Sequence, residues 1–281
     1  MSSLLSHRTE IRRAVRRWAA TVDRPLPWRG ERDPYRLLVS EVMLQQTQAS
    51  RVIEPYRRFL ERFPTVESLA EADAADVLRE WGSLGYNRRA LNLWRTAQAI
   101  VERGGFPRTV DELEGLPGIG PYTARAVASF AFDANCGVVE ANVRHVLSRA
   151  FGVSSRMQEA ADALAPRGGS AAWNQTMIDL GALVCTARKP SCAVCPLRGW
   201  CTWSPTQAAR RRKDRPFKES SRYVRGRIVS ELRAGGASVD ALRRRVGVER
   251  ARFEDALMSL ERDDLVHRWQ GTVALGSVPE R

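Results

Sequence analysis

The chain has 281 residues and is 43% hydrophobic, which allows two domains with real cores. No apolar run approaches the roughly 18 residues of a spanning helix, and the N-terminus MSSLLSHRTEIRRAVRRW lacks a secretory signal's apolar stretch. A cytoplasmic, nucleoid-associated protein without a membrane partner is expected, and a formal charge of +13 favours a polyanion such as nucleic acid, although a GC-rich genome also enriches arginine.

Most of residues 5–200 reads helical. Apolar residues recur at spacings of three and four, at Val39, Val42 and Met43 and then at Val52, Ile53, Tyr56, Phe59 and Leu60. Pro25, Pro27, Pro64, Gly104-Gly105 and Gly168-Gly169 mark loops, and strand-like runs are almost absent. A mainly α domain is expected over residues 1–203.

Within it, SEVMLQQTQAS sets Glu41 among Val39, Val42 and Met43. A carboxyl group among apolar side chains keeps its proton more readily, as a general acid must. A surface or capping glutamate is the plainer reading of the same residue. Gln45, Gln46 and Thr47 are polar and uncharged, suited to probing base edges or filling a vacated stack.

Further along, Leu116-Pro117-Gly118-Ile119-Gly120 lies between two helical stretches. Glycines there allow positive φ and close backbone approach, and amides at the start of the next helix can hold a phosphate. The pattern reads as a helix-hairpin-helix for DNA backbone contact, or as an ordinary tight turn.

Cys185, Cys192, Cys195 and Cys201 follow with spacing C-x6-C-x2-C-x5-C in CTARKPSCAVCPLRGWC. Four thiolates so close together can share one metal centre, and sulfur ligands favour zinc or an iron–sulfur cluster. Zinc usually shows two short knuckles, and only one gap here is short. Two disulfides would suit a small secreted domain, which this chain does not resemble. Cys136 stands apart and reads as a core residue.

Residues 204–220 hold few core formers and a basic run from Arg210 to Arg215. They read as a linker, either a solvated tether or a phosphate contact. Residues 221–281 then offer three helix faces: Val224, Ile228, Val229 and Leu232; Val239 and Leu242, stopping near Gly247; and Phe253, Ala256, Leu257 and Leu260. Leu265-Val266 and Val273-Ala274-Leu275 flank Gln270-Gly271 as a hairpin. A small winged-helix-like domain is expected, which either binds DNA or packs on a neighbour.

Taken in order and spacing, LPWRGERDPYRLLVSEVMLQQTQ, GYNRRALNL, LPGIGPYTARAV, NVRHVLSR, WNQTMIDLGALVC and the cysteine loop resemble the adenine DNA glycosylase (MutY) family of the helix-hairpin-helix, endonuclease III superfamily. The resemblance covers about Leu26 to Cys201. It implies a two-lobed helix-hairpin-helix glycosylase fold, a base pocket between the lobes and a [4Fe–4S] cluster on the loop 185–201. It also implies double-stranded DNA with a mismatch or lesion as the partner of a monomeric enzyme.

The same resemblance implies roles. Glu41 would protonate adenine at N7, making the base a leaving group. Gln46, beside Gln45 and Thr47, would wedge into the duplex and Tyr86 would intercalate. Leu116, Gly118 and Gly120 would meet the DNA backbone. Tyr122 would line the pocket, Asn142 would stand beside the catalytic acid, Gln175 would face the adenine and Arg29 would lie near the pocket. Excising an intact base requires taking it out of the stack, which gives such wedges a physical purpose.

Two features depart from the family pattern. Glu140 in VVEANVRHV stands where the family has an aspartate that stabilises, or attacks, the oxocarbenium-like sugar. The extra methylene can move a carboxylate by about an ångström, a shift able to cost ~10²-fold in rate. A glutamate favoured there by the helix dipole is the structural alternative. Many members also carry a Nudix-like domain that senses 8-oxoguanine, and residues 221–281 are too short and too helical for that fold.

The expected function is a monofunctional DNA glycosylase of base excision repair that removes adenine mispaired with 8-oxoguanine or guanine. A mismatch thymine or uracil glycosylase is the alternative within the superfamily. A catalytically silent iron–sulfur DNA-binding protein is a further one, disfavoured by the joint presence of Glu41, Gln46 and Tyr86.

Overall fold

The computed structural model describes residues 6–204 and 216–276. The basic run Arg210–Arg215 lies outside the described residues. No described helix is long and apolar enough to cross a membrane.

In chain order the helices are α1 (Arg8–Ala19), α2 (Pro34–Leu44), α3 (Ala49–Arg62), α4 (Val66–Ala70), α5 (Ala74–Trp81), α6 (Arg88–Glu102), α7 (Val110–Glu114), α8 (Pro121–Phe132), α9 (Ala141–Phe151), α10 (Met157–Leu164) and α11 (Ser170–Leu183). The C-terminal segment adds α12 (Ser221–Leu232), β1 (Ala237–Ser238), α13 (Val239–Val246), α14 (Arg250–Arg262), β2 (Val266–Trp269) and β3 (Thr272–Leu275). The mainly helical fold expected from the apolar spacing is the one observed.

Local chemistry sets several of the boundaries. Thr65 and Ser68 form a capping box for α4, and Thr109 and Glu112 form one for α7. Asp73 caps α5 by accepting from the Ala75 amide at 2.7 Å. Pro121 occupies the first turn of α8, where its missing N–H costs nothing.

The chain divides into two compact units. One holds the described residues of 1–37, 107–115 and 120–210, the other those of 38–106, 116–119 and 211–281.

The first unit is built around α9, α10 and α11, with Val143, Val146, Leu147, Leu164, Trp173, Met177 and Leu180 buried together. Ile11 and Val15 of α1 complete that cluster. Arg12 fastens α1 by donating to the carbonyls of Leu164 at 2.8 Å and Ala165 at 2.6 Å, at the open C-terminal end of α10. A second cluster joins Leu37, Ala126, Phe130, Val138 and Ala171, with Tyr122 packed against it. Cys136 is buried, as its isolation in the sequence suggested.

In the second unit Phe59 packs tilted on Phe63 at 5.0 Å and edge-on to Trp81 at 6.2 Å between ring centres. The C-terminal segment belongs to this unit and buries Val224, Ile228, Leu232, Leu242, Phe253, Leu257 and Leu260. Its sheet has the order β1-β3-β2 and is antiparallel throughout, with Val266 opposite Leu275 and Trp269 opposite Thr272. Gln270 and Gly271 both take positive φ, as a two-residue hairpin turn requires. The short strand β1 is an addition to the three helices and hairpin expected from sequence. Two residues carry no alternation to read.

Candidate active site

Glu41 sits on α2 and is 5% exposed, flanked by fully buried Val39 and Ser40 and by buried Val42. Glu41 is therefore buried, and the surface reading of it is excluded.

Glu140 is the N-cap of α9. One carboxylate oxygen accepts from the Val143 amide at 2.8 Å, and the other accepts from the Asn142 side-chain amide at 3.1 Å. Burial pushes the Glu140 carboxyl above its ordinary pKa; the bonds from Asn142 and Val143 and the charge of Arg24 pull the other way.

Helix α11 lies across this helix start. A Cβ at Gly181 would fall 2.5 Å from the Asn142 carbonyl oxygen, so only glycine permits the crossing. Asp179, on the same helix, is buried and paired with Arg24 at 3.0 Å and with Arg29. Gln175 lies one turn earlier on that face and is partly buried. The first unit thus brings together Glu140, Asn142, Arg29 and the Gln175 face of α11. Tyr122 stands in the first turn of α8, half-buried.

The second unit brings together the residues expected to probe the duplex. Gln46 is exposed with φ of +54°, and Tyr86 is 41% exposed with φ of +49°. Left-handed backbone at two non-glycine residues is costly and needs support. Arg89 supplies it. Its guanidinium donates to the carbonyls of Val42 at 2.8 Å, Met43 at 3.0 Å and Gln45 at 2.6 Å. It also donates to the Thr47 hydroxyl and the Gly85 carbonyl, both at 3.3 Å. The same group lies 5.3 Å from the Tyr86 ring centre and 5.4 Å from that of Trp81. Desolvation lowers the Arg89 pKa to about 10, which leaves it cationic at neutral pH.

Helix α6 serves the hairpin turn as well. The Thr96 hydroxyl donates to the Pro117 carbonyl at 2.7 Å, and a Cβ at Gly118 would strike the Asn92 Cβ at 2.6 Å. Gly118 has φ of +81°, so both reasons for glycine apply there. Gly120 is held differently. It is the N-cap of α8 with φ of −100°, and nothing lies within 4 Å of its Cβ position. Leu116 is buried.

Cys185, Cys192, Cys195 and Cys201 line one cavity of about 450 Å³ together with Arg149, Val184, Pro190, Ala193, Arg198 and Trp203. All four are free thiols, so the disulfide reading does not hold. Short 3-10 turns at Cys192–Val194 and Arg198–Trp200 shape the loop, and the Ser191 amide closes it on the Val184 carbonyl at 2.8 Å. Arg149 holds it from α9, donating to the carbonyls of Thr186 and Ala187 at 2.8 Å each and lying 3.7 Å from the Cys185 sulfur. Burial raises the thiol pKa of Cys185 and Cys195, with Arg149 opposing it at Cys185. Four cysteines line one cavity with a cation beside Cys185, a donor set of the kind an anionic iron–sulfur cluster takes, although among the described residues no three such side chains converge as a ready-made metal site.

Among known families, the description "HhH-GPD superfamily base excision DNA repair protein" matches residues 39–166. "Iron-sulfur binding domain of endonuclease III" matches residues 185–201, the cysteine loop. Over 269 residues the chain is 40% identical to a protein named adenine DNA glycosylase from Mycobacterium tuberculosis, which spans 89% of this chain and 88% of the relative. The chain belongs to the adenine DNA glycosylase family. A relative of the same name from Mycolicibacterium smegmatis is 43% identical over 230 residues, 77% of this chain and 78% of the relative. Among solved structures, one described as a thermostable thymine-DNA glycosylase matches with TM-score 0.66 and 29% identity, over 70% of this chain and 96% of that one. A non-covalent endonuclease III–DNA complex matches with TM-score 0.60 and 26% identity, over 69% and 95%.

Sequence reasoning passed over Arg89, Asp179 and Arg149. Asp179, a lone acid inside the apolar WNQTMIDLGALVC, carried a usable signal. In a chain so rich in arginine, Arg89 and Arg149 carried none.

Proposed function

We propose that this DNA N-glycosylase hydrolyses the bond between deoxyribose and adenine mispaired with 8-oxoguanine or guanine. The similarity to adenine DNA glycosylases along nearly the whole chain carries this reading. The buried carboxyl of Glu41 supports it. In the proposed reaction Glu41 gives its proton to adenine N7. The glycosidic bond breaks and its electron pair leaves with the base. The Glu140 carboxylate, oriented by Asn142, stabilises the positive charge on the sugar. Water adds at the sugar carbon and gives up a proton, through solvent, that restores the Glu41 carboxyl, leaving free adenine and an abasic site. Gln46 and Tyr86 take up the space that the extruded base leaves.

Tyr122 occupies the hairpin position where bifunctional members of the superfamily carry a lysine nucleophile. Base release without strand cleavage follows. The cysteines would hold a [4Fe–4S] cluster that fastens the loop, and no step of the reaction is assigned to it. We further propose a cytoplasmic, nucleoid-associated monomer, with residues 1–203 as the glycosylase domain and 221–281 as an accessory domain.

A mismatch thymine or uracil glycosylase is the second reading. The solved structure described as a thymine-DNA glycosylase favours it, as does Glu140 at the family's aspartate position. Base release from A·8-oxoguanine, A·G, T·G and U·G duplexes under single-turnover conditions separates the two. Adenine release with no borohydride-trapped adduct supports the first reading; preferential thymine or uracil release overturns it.

A further inference from the structure

The hydroxyl of Tyr86 accepts a hydrogen bond from the guanidinium of Arg222 at 2.6 Å. Arg222 lies in the first turn of α12, in the C-terminal segment, far from Tyr86 in sequence. Both side chains belong to the second unit and both are exposed. We propose that Arg222 is a DNA-contact residue, which takes a backbone phosphate beside the base step that Tyr86 enters. This rests on the reading of Tyr86 as an intercalating residue.

Three observations support it. The first is charge. Arginines nearby are neutralised by carboxylates: Asp263 pairs with Arg225 at 2.6 Å and with Arg88 at 3.5 Å, and Asp264 pairs with Arg95 at 2.8 Å. Among the described residues no carboxylate pairs with Arg222, whose partner is a neutral phenol. A guanidinium bonds an anionic phosphate far more strongly than a neutral oxygen, so an arriving phosphate can displace that contact.

The second is reach. Successive phosphates on one strand are spaced about 3.4 Å along the duplex axis. Arg222 is exposed beside the exposed Tyr86 on the same unit, so when the ring leaves that contact to enter a step the guanidinium remains at the rim of the duplex, where the phosphates run.

The third is rigidity. The segment carrying Arg222 is fixed to the rest of its unit by the Arg88–Asp263 and Arg95–Asp264 pairs and by a bond from Arg233 to the Gly82 carbonyl. The arm is therefore placed before DNA arrives, which limits the entropy lost on binding. Its surroundings are also basic and aromatic. Phe217 is 62% exposed, and exposed Arg252 donates to the Lys218 carbonyl at 3.0 Å.

The test uses the full chain with its cluster and a duplex carrying a stable abasic analogue opposite guanine. Binding is measured over a range of KCl concentrations for wild type, Arg222→Gln and Arg222→Lys. Arg222→Gln should weaken binding about tenfold and lower the slope of log K against log salt by ~0.9, the value of one lost phosphate contact. Arg222→Lys should keep the wild-type slope. In parallel, 2-aminopurine fluorescence beside the target reports base unstacking in wild type and Tyr86→Ala. An unchanged slope in Arg222→Gln overturns the proposal, even if that variant melts at a lower temperature, because Arg222 is then only an internal prop. A reduced slope together with full unstacking by Tyr86→Ala also overturns it, since the step is then not entered by Tyr86. Loss of unstacking in Tyr86→Ala with an unchanged slope in Arg222→Gln leaves the tyrosine reading standing and removes the arm alone.

Discussion

Glu140 and Asn142 form a closed unit at the start of helix α9: the carboxylate caps the Val143 amide with one oxygen and receives the Asn142 amide on the other. The longer arm of glutamate is therefore folded onto its own helix start. The capping role and the proposed catalytic role fall on one side chain, and substitution separates them. Glu140→Gln keeps an oxygen for the cap but loses the charge, so it should fold normally and excise adenine at least ~10²-fold more slowly. Glu140→Asp supplies a residue favoured at helix N-caps and should retain or exceed wild-type excision of A·8-oxoguanine. Single-turnover rates and thermal melting of both variants are the check. A fully active Glu140→Gln would make the residue purely structural.

Because burial holds the Glu140 carboxyl above its ordinary pKa, its anion should be lost as pH falls through a window higher than that of a free carboxylate. Folding has the opposite sign. A raised native pKa stabilises the fold below the unfolded value, and this contribution disappears as pH rises through the native one. Arg24 favours the anion, so Arg24→Gln should raise the carboxyl further and move the acid limb of the excision profile to higher pH. Single-turnover rates against pH test the direction. An acid limb that stays in place or moves down would detach Glu140 from that limb.

Arg89 joins the left-handed turn at Gln46 to the one at Tyr86. Arg89→Met keeps much of the side chain's volume but removes every donor. It should destabilise the protein by about 2–3 kcal/mol, in line with lost charge-assisted bonds to partly buried carbonyls. Excision should fall even where the variant is still folded, because both probing residues lose their shared support. Denaturant unfolding and single-turnover assays below the midpoint separate the two effects.

Cluster content should depend on the loop and on the arginine that docks it. Cys192→Ser should lose iron and solubility together, since the loop has little other reason to fold. Arg149→Met leaves all four thiols but removes the donors to Thr186 and Ala187, so it should purify with substoichiometric iron. Iron per polypeptide after anaerobic purification reads both. One tightly bound zinc and no iron in the wild type would overturn the cluster assignment.

Wherever local pattern carries the information, the sequence alone was sufficient. The spacing of Val39, Val42 and Met43 announced a buried helix face, Gln270-Gly271 a hairpin, and the four cysteines a shared centre. Local chemistry determines such features, because periodicity, turn conformation and ligand spacing act over a few residues. Tertiary structure decided which arginines matter. Arg24 and Arg29 meet Asp179 some 150 residues away, Arg89 gathers carbonyls from more than 40 residues earlier, and Arg222 reaches Tyr86 across 136. In a chain with 45 basic residues, no single arginine stands out by type or spacing. Its role depends on which carbonyl, carboxylate or phenol the fold brings within hydrogen-bonding distance. The same holds for Gly118 and Gly120. They are adjacent in one motif, yet only Gly118 is held at positive φ against Asn92, because only there does the packing of helix α6 close the space.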